Sequence, residues 1–154
     1  MKATHGYARA RMGVHSPTRR RENQEDMHND KMANSRKILI VEDEPLIAWS
    51  LADMIRTLGY EVCDTVATES AAVEKAPGCD AVLMDFRLAG GGSGLAAARK
   101  IRENANMPIV FCTAYAEESG LAGQMLAVSR AALIPKPVSR VKLEQAFAQL
   151  FADN

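Results

Sequence analysis

The sequence of 154 residues suits one domain of ordinary size, and its 47% hydrophobic and 25% charged content is that of a soluble globular chain with a real core. No apolar run approaches the roughly 20 residues a membrane span requires, so a bilayer-crossing helix is excluded. Formal net charge is +0, yet residues 1–33 hold seven Lys or Arg against four acids and the remainder twelve against fifteen, so a basic tail precedes a mildly acidic body.

Residues 1–33 contain few aliphatics, no periodicity and the cluster Arg19-Arg20-Arg21, too little apolar surface to offset chain ordering, and are predicted to be disordered. A solvated tail is the expectation, with a nucleic-acid or partner-binding arm as the sharper alternative; Met32 could equally be the working start. No apolar segment follows the tail's basic residues, so no secretory signal is read there and the cytoplasm is expected. His5, His15 and His28 lie too far apart for a preformed metal site. Cys63, Cys79 and Cys112 lack metal-ligand spacing, and their odd number argues against a disulfide framework, so buried, reduced thiols are expected.

The body opens on Ile38-Leu39-Ile40-Val41, a continuous β-branched-rich run that reads as a strand buried on both faces, and it runs straight into Glu42-Asp43-Glu44. Pro45 suits a first helical turn, and Ile47, Leu51, Met54, Ile55 and Leu58 fall at helical spacing before Gly59 ends the helix. Trp49 lies off that stripe and should be partly exposed. Residues 61–67 form a second strand, and Thr68-Glu69 caps a short helix stopped by Pro77-Gly78.

A third apolar strand, 81–84, delivers Asp85. The glycine-rich stretch from Arg87 to Gly94 lacks the Lys-Ser or Lys-Thr of a phosphate cradle and is expected to be a flexible connection into a helix over 95–102. Residues 108–112 make a fourth strand ending at Thr113. A helix over 117–128 is weakened by Gly120 and Gly123, each costing about 1 kcal/mol relative to Ala. Residues 131–135 make a fifth strand ending in Lys136-Pro137, and Ser139 caps a last helix whose Leu143, Phe147 and Leu150 share a face.

Strands alternating with helices predict an α/β, doubly wound parallel sheet, whose ligands bind outside the carboxyl ends of the strands. Those ends carry Glu42 and Asp43, then Asp85, then Thr113, then Lys136. Two carboxylates about 4 Å apart repel by roughly 4 kcal/mol at an effective dielectric of 20, so the cluster favours a proton or a divalent cation. Oxygen ligands with retained waters suit Mg²⁺. With Mg²⁺ and Lys136 offsetting charge, Asp85 could attack a phosphoryl group while Thr113 donates to one of its oxygens.

The set Val41-Glu42-Asp43-Glu44-Pro45, Leu83-Met84-Asp85, Phe111-Cys112-Thr113-Ala114 and Pro135-Lys136-Pro137 resembles the receiver domain of two-component response regulators, over residues 36–152. The resemblance implies a five-stranded parallel sheet in the order 2-1-3-4-5, a flavodoxin-like three-layer sandwich. It implies Mg²⁺ held by Glu42, Asp43, Asp85 and the Arg87 backbone carbonyl. Asp85 would be the phospho-acceptor, Lys136 the phosphate-contacting lysine with a cis bond to Pro137, and Thr113 the switch hydroxyl.

Leu133 stands where most receivers carry an aromatic, so Tyr115 is the alternative switch residue, and residues 108–115 resemble the FATGUY subgroup of stand-alone receivers. The implied partners are a sensor histidine kinase or phosphotransfer protein and a downstream protein target, with no DNA-binding domain. The expected function is a single-domain response regulator in a phosphorelay that catalyses only its own phosphorylation and dephosphorylation; the alternative is a phosphorylation-independent adaptor. A haloacid-dehalogenase-type hydrolase would need a second Asp where Arg87 stands. A flavodoxin-like cofactor binder would set its phosphate against Glu42-Asp43-Glu44.

Overall fold

Lys37–Val41 (β1) is the strand around which the rest is laid, because its apolar run can be buried on both sides only in the middle of a sheet. The structure, a computed structural model, describes residues 35–114, 117 and 120–152. The disorder expected of residues 1–33, the three histidines and Tyr115 therefore lie outside the described residues. After β1 come the helix Pro45–Thr57 (α1), the strand Glu61–Val66 (β2) and the helix Glu69–Lys75 (α2), which runs into a single tight turn at Ala76–Gly78. Ala81–Asp85 (β3) leads into the two-residue strands Arg87–Leu88 (β4) and Gly92–Ser93 (β5), then Gly94–Asn104 (α3). Ile109–Thr113 (β6), Leu121–Leu126 (α4), Ala131–Pro135 (β7) and Arg140–Ala152 (α5) complete the order.

Five strands form one parallel sheet in the order β2-β1-β3-β6-β7, the doubly wound order expected. Residues of the four strands β1, β3, β6 and β7 alternate between its faces. Leu39, Val41, Val82, Met84, Ile109 and Phe111 point to the side where Ala72, Leu95, Ala98, Ile101 and Met125 of α2, α3 and α4 cover them. Ile38, Ile40, Leu83, Val110 and Cys112 point to the other, under Leu51 and Ile55 of α1 and Leu143, Phe147 and Leu150 of α5. Both halves of a continuous apolar run are thus needed, one per layer.

The helix ends follow the local chemistry. Pro45 occupies the first turn of α1, where its missing N–H costs nothing, and Gly59 beyond the helix takes φ +86°. Thr68 accepts the Ala71 N–H at 3.2 Å at the start of α2, and Ser139 accepts the Lys142 N–H at 3.3 Å at the start of α5. Trp49 is 72% exposed, as its place off the α1 stripe predicts.

Two expectations need correcting. Cys63 and Cys79 are joined in a disulfide and are only half-buried, because β2 and the turn after α2 bring two distant positions together; Cys112 alone is a free, buried thiol. The stretch after Asp85 is not a loose connection either. β4 and β5 pair antiparallel, Arg87 opposite Ser93 and Leu88 opposite Gly92, with Leu88 buried in the core.

Candidate metal and phosphoryl site

β1 and β3 are adjacent and in register, Val41 beside Met84, so the residues that follow each strand meet at one edge. Glu42, Asp43 and Asp85 each present a carboxylate oxygen within 4.8 Å of the others. Glu42 is buried, and its two oxygens are occupied: Oε1 accepts the Glu44 N–H at 3.0 Å and Oε2 accepts from Lys136 Nζ at 2.7 Å. Asp43 is exposed. Asp85 is half-buried, with Oδ1 accepting the Phe86 N–H at 2.7 Å and Oδ2 lying 3.1 Å from Lys136 Nζ.

Lys136 arrives from the far side of the sheet because β7 ends there, and its backbone N–H donates to the Thr113 carbonyl at 2.9 Å. The Lys136–Pro137 peptide is cis, as the resemblance implies. Partial burial works against the Lys136 ammonium, but the hydrogen bond it donates to Glu42 and the charges of Asp85 and Glu42 outweigh it, and its pKa is raised. It therefore carries its charge throughout the ordinary pH range. Three carboxylates against this one ammonium leave two negative charges in excess, a donor set of hard oxygens suited to a divalent cation such as Mg²⁺.

Thr113 lies fully buried at the end of β6, on the same edge. Cys112, beside it in sequence, is buried in the core, and burial pushes its thiol far above the usual cysteine range. Arg87 opens β4, two residues after Asp85, and is exposed. The structure thus gathers the carboxylates of Glu42, Asp43 and Asp85, sets Lys136 against Glu42 and Asp85, and places Thr113 and Arg87 on the adjoining chain.

Glu69 and Gly94 were not legible as part of this site. Glu69 lies two strands away in sequence, yet its carboxylate accepts the Ser93 N–H at 3.3 Å and Lys100 Nζ at 2.7 Å, tethering the β4–β5 hairpin that follows Asp85. Gly94 donates its N–H to the Phe86 carbonyl at 2.7 Å, and a Cβ there would overlap the Asp85 carbonyl oxygen. Only the lack of a side chain lets α3 start so close to the acid. In sequence, Glu69 reads as an ordinary helix-start acid and Gly94 as one glycine among several.

A family model for the response regulator receiver domain matches residues 38–148. The phyllosphere-induced regulator PhyR of Methylorubrum extorquens is 41% identical over 86 residues, 53% of this chain and 32% of PhyR. The chain spans less than half the length of that curated relative. The solution structure of the PhyR receiver domain of Erythrobacter litoralis matches with a TM-score of 0.65 at 33% identity, over 77% of this chain and 91% of that one. The receiver domain of a sensor histidine kinase of Pseudomonas aeruginosa, which holds a magnesium ion in its active-site cleft, matches with a TM-score of 0.67 at 33% identity, over 77% and 98% of the two chains. Sheet order, strand-end acids and sequence agree on one conclusion: this chain belongs to the response regulator receiver domain family, regulatory modules of two-component signalling rather than metabolic enzymes.

Proposed function

We propose that Asp85 accepts a phosphoryl group from a phosphohistidine of a sensor histidine kinase or phosphotransfer protein, and that the chain then signals by contact with a downstream protein. The observation that carries this is the Lys136 ammonium, 3.1 Å from Asp85 and 2.7 Å from Glu42, beside a carboxylate cluster that still has negative charge in excess. Glu42, Asp43, Asp85 and the Arg87 carbonyl would hold Mg²⁺. When bound, the ion offsets the cluster's charge and that of the incoming phosphoryl oxygens.

Among the three acids, Asp85 is the nucleophile. The Glu42 side chain is wholly out of solvent and Asp43 is exposed, whereas the Asp85 side chain is 11% exposed and 3.1 Å from Lys136 Nζ, open to a donor yet beside the ammonium. An Asp85 oxygen forms the new bond to phosphorus as the bond to the donor's imidazole nitrogen breaks, and the imidazole keeps that electron pair. Lys136 donates to a phosphoryl oxygen, and so does the Thr113 hydroxyl. Engagement of Thr113 is the step that would pull on the chain leading to Tyr115 and α4, and with Leu133 at the usual aromatic position Tyr115 is the switch residue.

The donor protein has a natural seat. A groove of about 580 Å³ runs from Lys136, Pro137 and Val138 along α1, lined by Leu46, Ile47 and Met54. Leu46 is 84% exposed and Trp49, on the same helix, 72%. Apolar side chains this open beside a reacting centre suit a helical partner that must bring its histidine to Asp85.

The test is label transfer from a phosphorylated histidine donor. Wild type should take an acid-stable, hydroxylamine-labile label that needs Mg²⁺ and disappears with chelator; Asp85→Asn should take none. Label that persists in Asp85→Asn would overturn the assignment. Partner binding without any label would favour the phosphorylation-independent adaptor.

A further inference from the structure

The edge strand β2 carries an irregularity that the receiver chemistry does not explain. Along β1, Ile38 pairs with Val62 but Leu39 pairs with Asp64, so Cys63 is an extra residue with none opposite it, a β-bulge. Val62 packs on the α1–α5 side, and strict alternation would send Val66 there too. Instead Cys63 and Val66 both pack on the opposite side, with α2. Asp64 also reaches α2, 3.8 Å from Lys75 Nζ. Alternation from Val62 already turns Cys63 toward Cys79, and the bulge that follows brings Val66 to that same side.

Cys79 sits on a firmly held segment. The next residue, Asp80, donates its N–H to the Lys37 carbonyl and accepts the Lys37 N–H on its carboxylate, both at 2.7 Å. The disulfide thus ties the bulge of an edge strand to the start of β1. Beyond the bulge the reset register runs through Leu39, Ile40 and Val41 to Glu42, whose N–H donates to the Val66 carbonyl at 2.9 Å. The backbone of a site carboxylate is fixed by the stretch of β2 that the sulfur bridge anchors.

We propose that Cys63 and Cys79 are a reversible oxidation site whose state sets how firmly β2 holds Glu42. The co-reactant is a small-molecule disulfide. One cysteine thiolate attacks it, releasing a small thiol and forming a mixed disulfide, and the second cysteine then displaces the other small thiol. The two protein thiols lose two protons and two electrons, and the small disulfide's S–S bond is reduced to two thiols. A dithiol reductant reverses both steps. Cys63 and Cys79 are half-buried and within reach of such reagents, whereas Cys112 is buried and held as a thiol. The effect on cation binding rests on Glu42 being a ligand, as proposed above; the oxidation itself does not.

The test equilibrates the full chain with mixtures of oxidised and reduced glutathione, then denatures, alkylates and maps the thiols by mass. Cys63 and Cys79 should become protected together and reopen together with dithiothreitol, while Cys112 is alkylated throughout. A bridge that excess dithiothreitol leaves closed in the folded protein, or oxidation of only one of the pair, overturns the proposal. After reduction the amides of residues 64–66 and of Glu42 should exchange about tenfold faster, as local opening of an edge predicts. Cys79→Ser in oxidising buffer should match the reduced wild type. Equal exchange in both states overturns the coupling to Glu42.

Mg²⁺ binding should be roughly tenfold weaker in the reduced form, the low end for loosening a group that supports a metal ligand. Unequal exchange with equal Mg²⁺ affinity overturns the link to the cation site. A chain that binds no Mg²⁺ in either state would instead defeat the receiver chemistry, and the thiol and exchange results would stand.

Discussion

Two glycine-rich segments flank the acid cluster, and they have opposite characters. From Phe86 to Gly94 the chain is pinned at four points: Leu88 is buried, the Ala89 N–H donates to the Ala67 carbonyl at 2.9 Å, Ser93 is held by Glu69, and Gly94 abuts Asp85. After Thr113, helix α4 spans only Leu121–Leu126, starts at Gly120 in the left-handed region without a side-chain cap, and fully buries only Met125. The same residue type, glycine, serves close packing in one and loosens the other. Partners, not glycine content, decide which segment can move.

The largest test of this contrast is Gly94→Ala. Its Cβ would meet backbone that cannot step aside, so a loss of about 3 kcal/mol is expected by denaturant unfolding, the upper end for overpacking. A loss of under 1 kcal/mol would mean the hairpin side yields as readily as the other. Met125→Ala should cost about 2 kcal/mol, the low end for a buried methionine, because a six-residue helix can settle into the space.

Gly120 and Gly123 give a pair of opposite sign. Gly120 has φ +84°, so Gly120→Ala should cost about 1 kcal/mol of stability. Gly123 lies inside α4 with nothing near a Cβ, so Gly123→Ala should add about 0.5–1 kcal/mol and slow amide exchange in α4. If signalling needs this segment to shift, that stabilised variant will accept phosphate normally but respond less to it.

Glu69→Gln carries the smallest global effect. The hydrogen bond from Lys100, then that from the Ser93 N–H, lower the Glu69 pKa from its ordinary 4.5. A group with a depressed folded pKa contributes fully above its unfolded value and loses that contribution as pH falls through the folded one. The Ser93 amide resonance should therefore move as pH drops below about 4.5 in wild type, and should sit at the displaced position at all pH in Glu69→Gln.

Much of the sheet could be read from the chain alone, because strands buried on both faces appear as unbroken apolar runs whose polar ends mark the ligand edge. Val41 into Glu42, Met84 into Asp85 and Pro135 into Lys136 are such boundaries, and the structure closes the first two acids and the lysine to within hydrogen-bond distance. What stayed hidden depends on register or long-range pairing. Two-residue strands such as Arg87–Leu88 have no periodicity, and the Cys63 bulge exists only relative to Leu39. Three cysteines allow several pairings, and it is the path of β2 and α2 that selects Cys63 with Cys79. Glu69 acts across 24 residues on Ser93, a distance over which no local pattern operates.

Trp49 is the only tryptophan in the chain, and it stands in water on the outer flank of α1. Its indole emission therefore reports a single spot on α1, the helix that also lines the groove ending at Lys136, with no second fluorophore of its kind to blur the signal. A protein settling on that flank would shield the ring from solvent and shift its light toward the blue. The unlabelled chain thus carries its own optical gauge of who docks there and how fast.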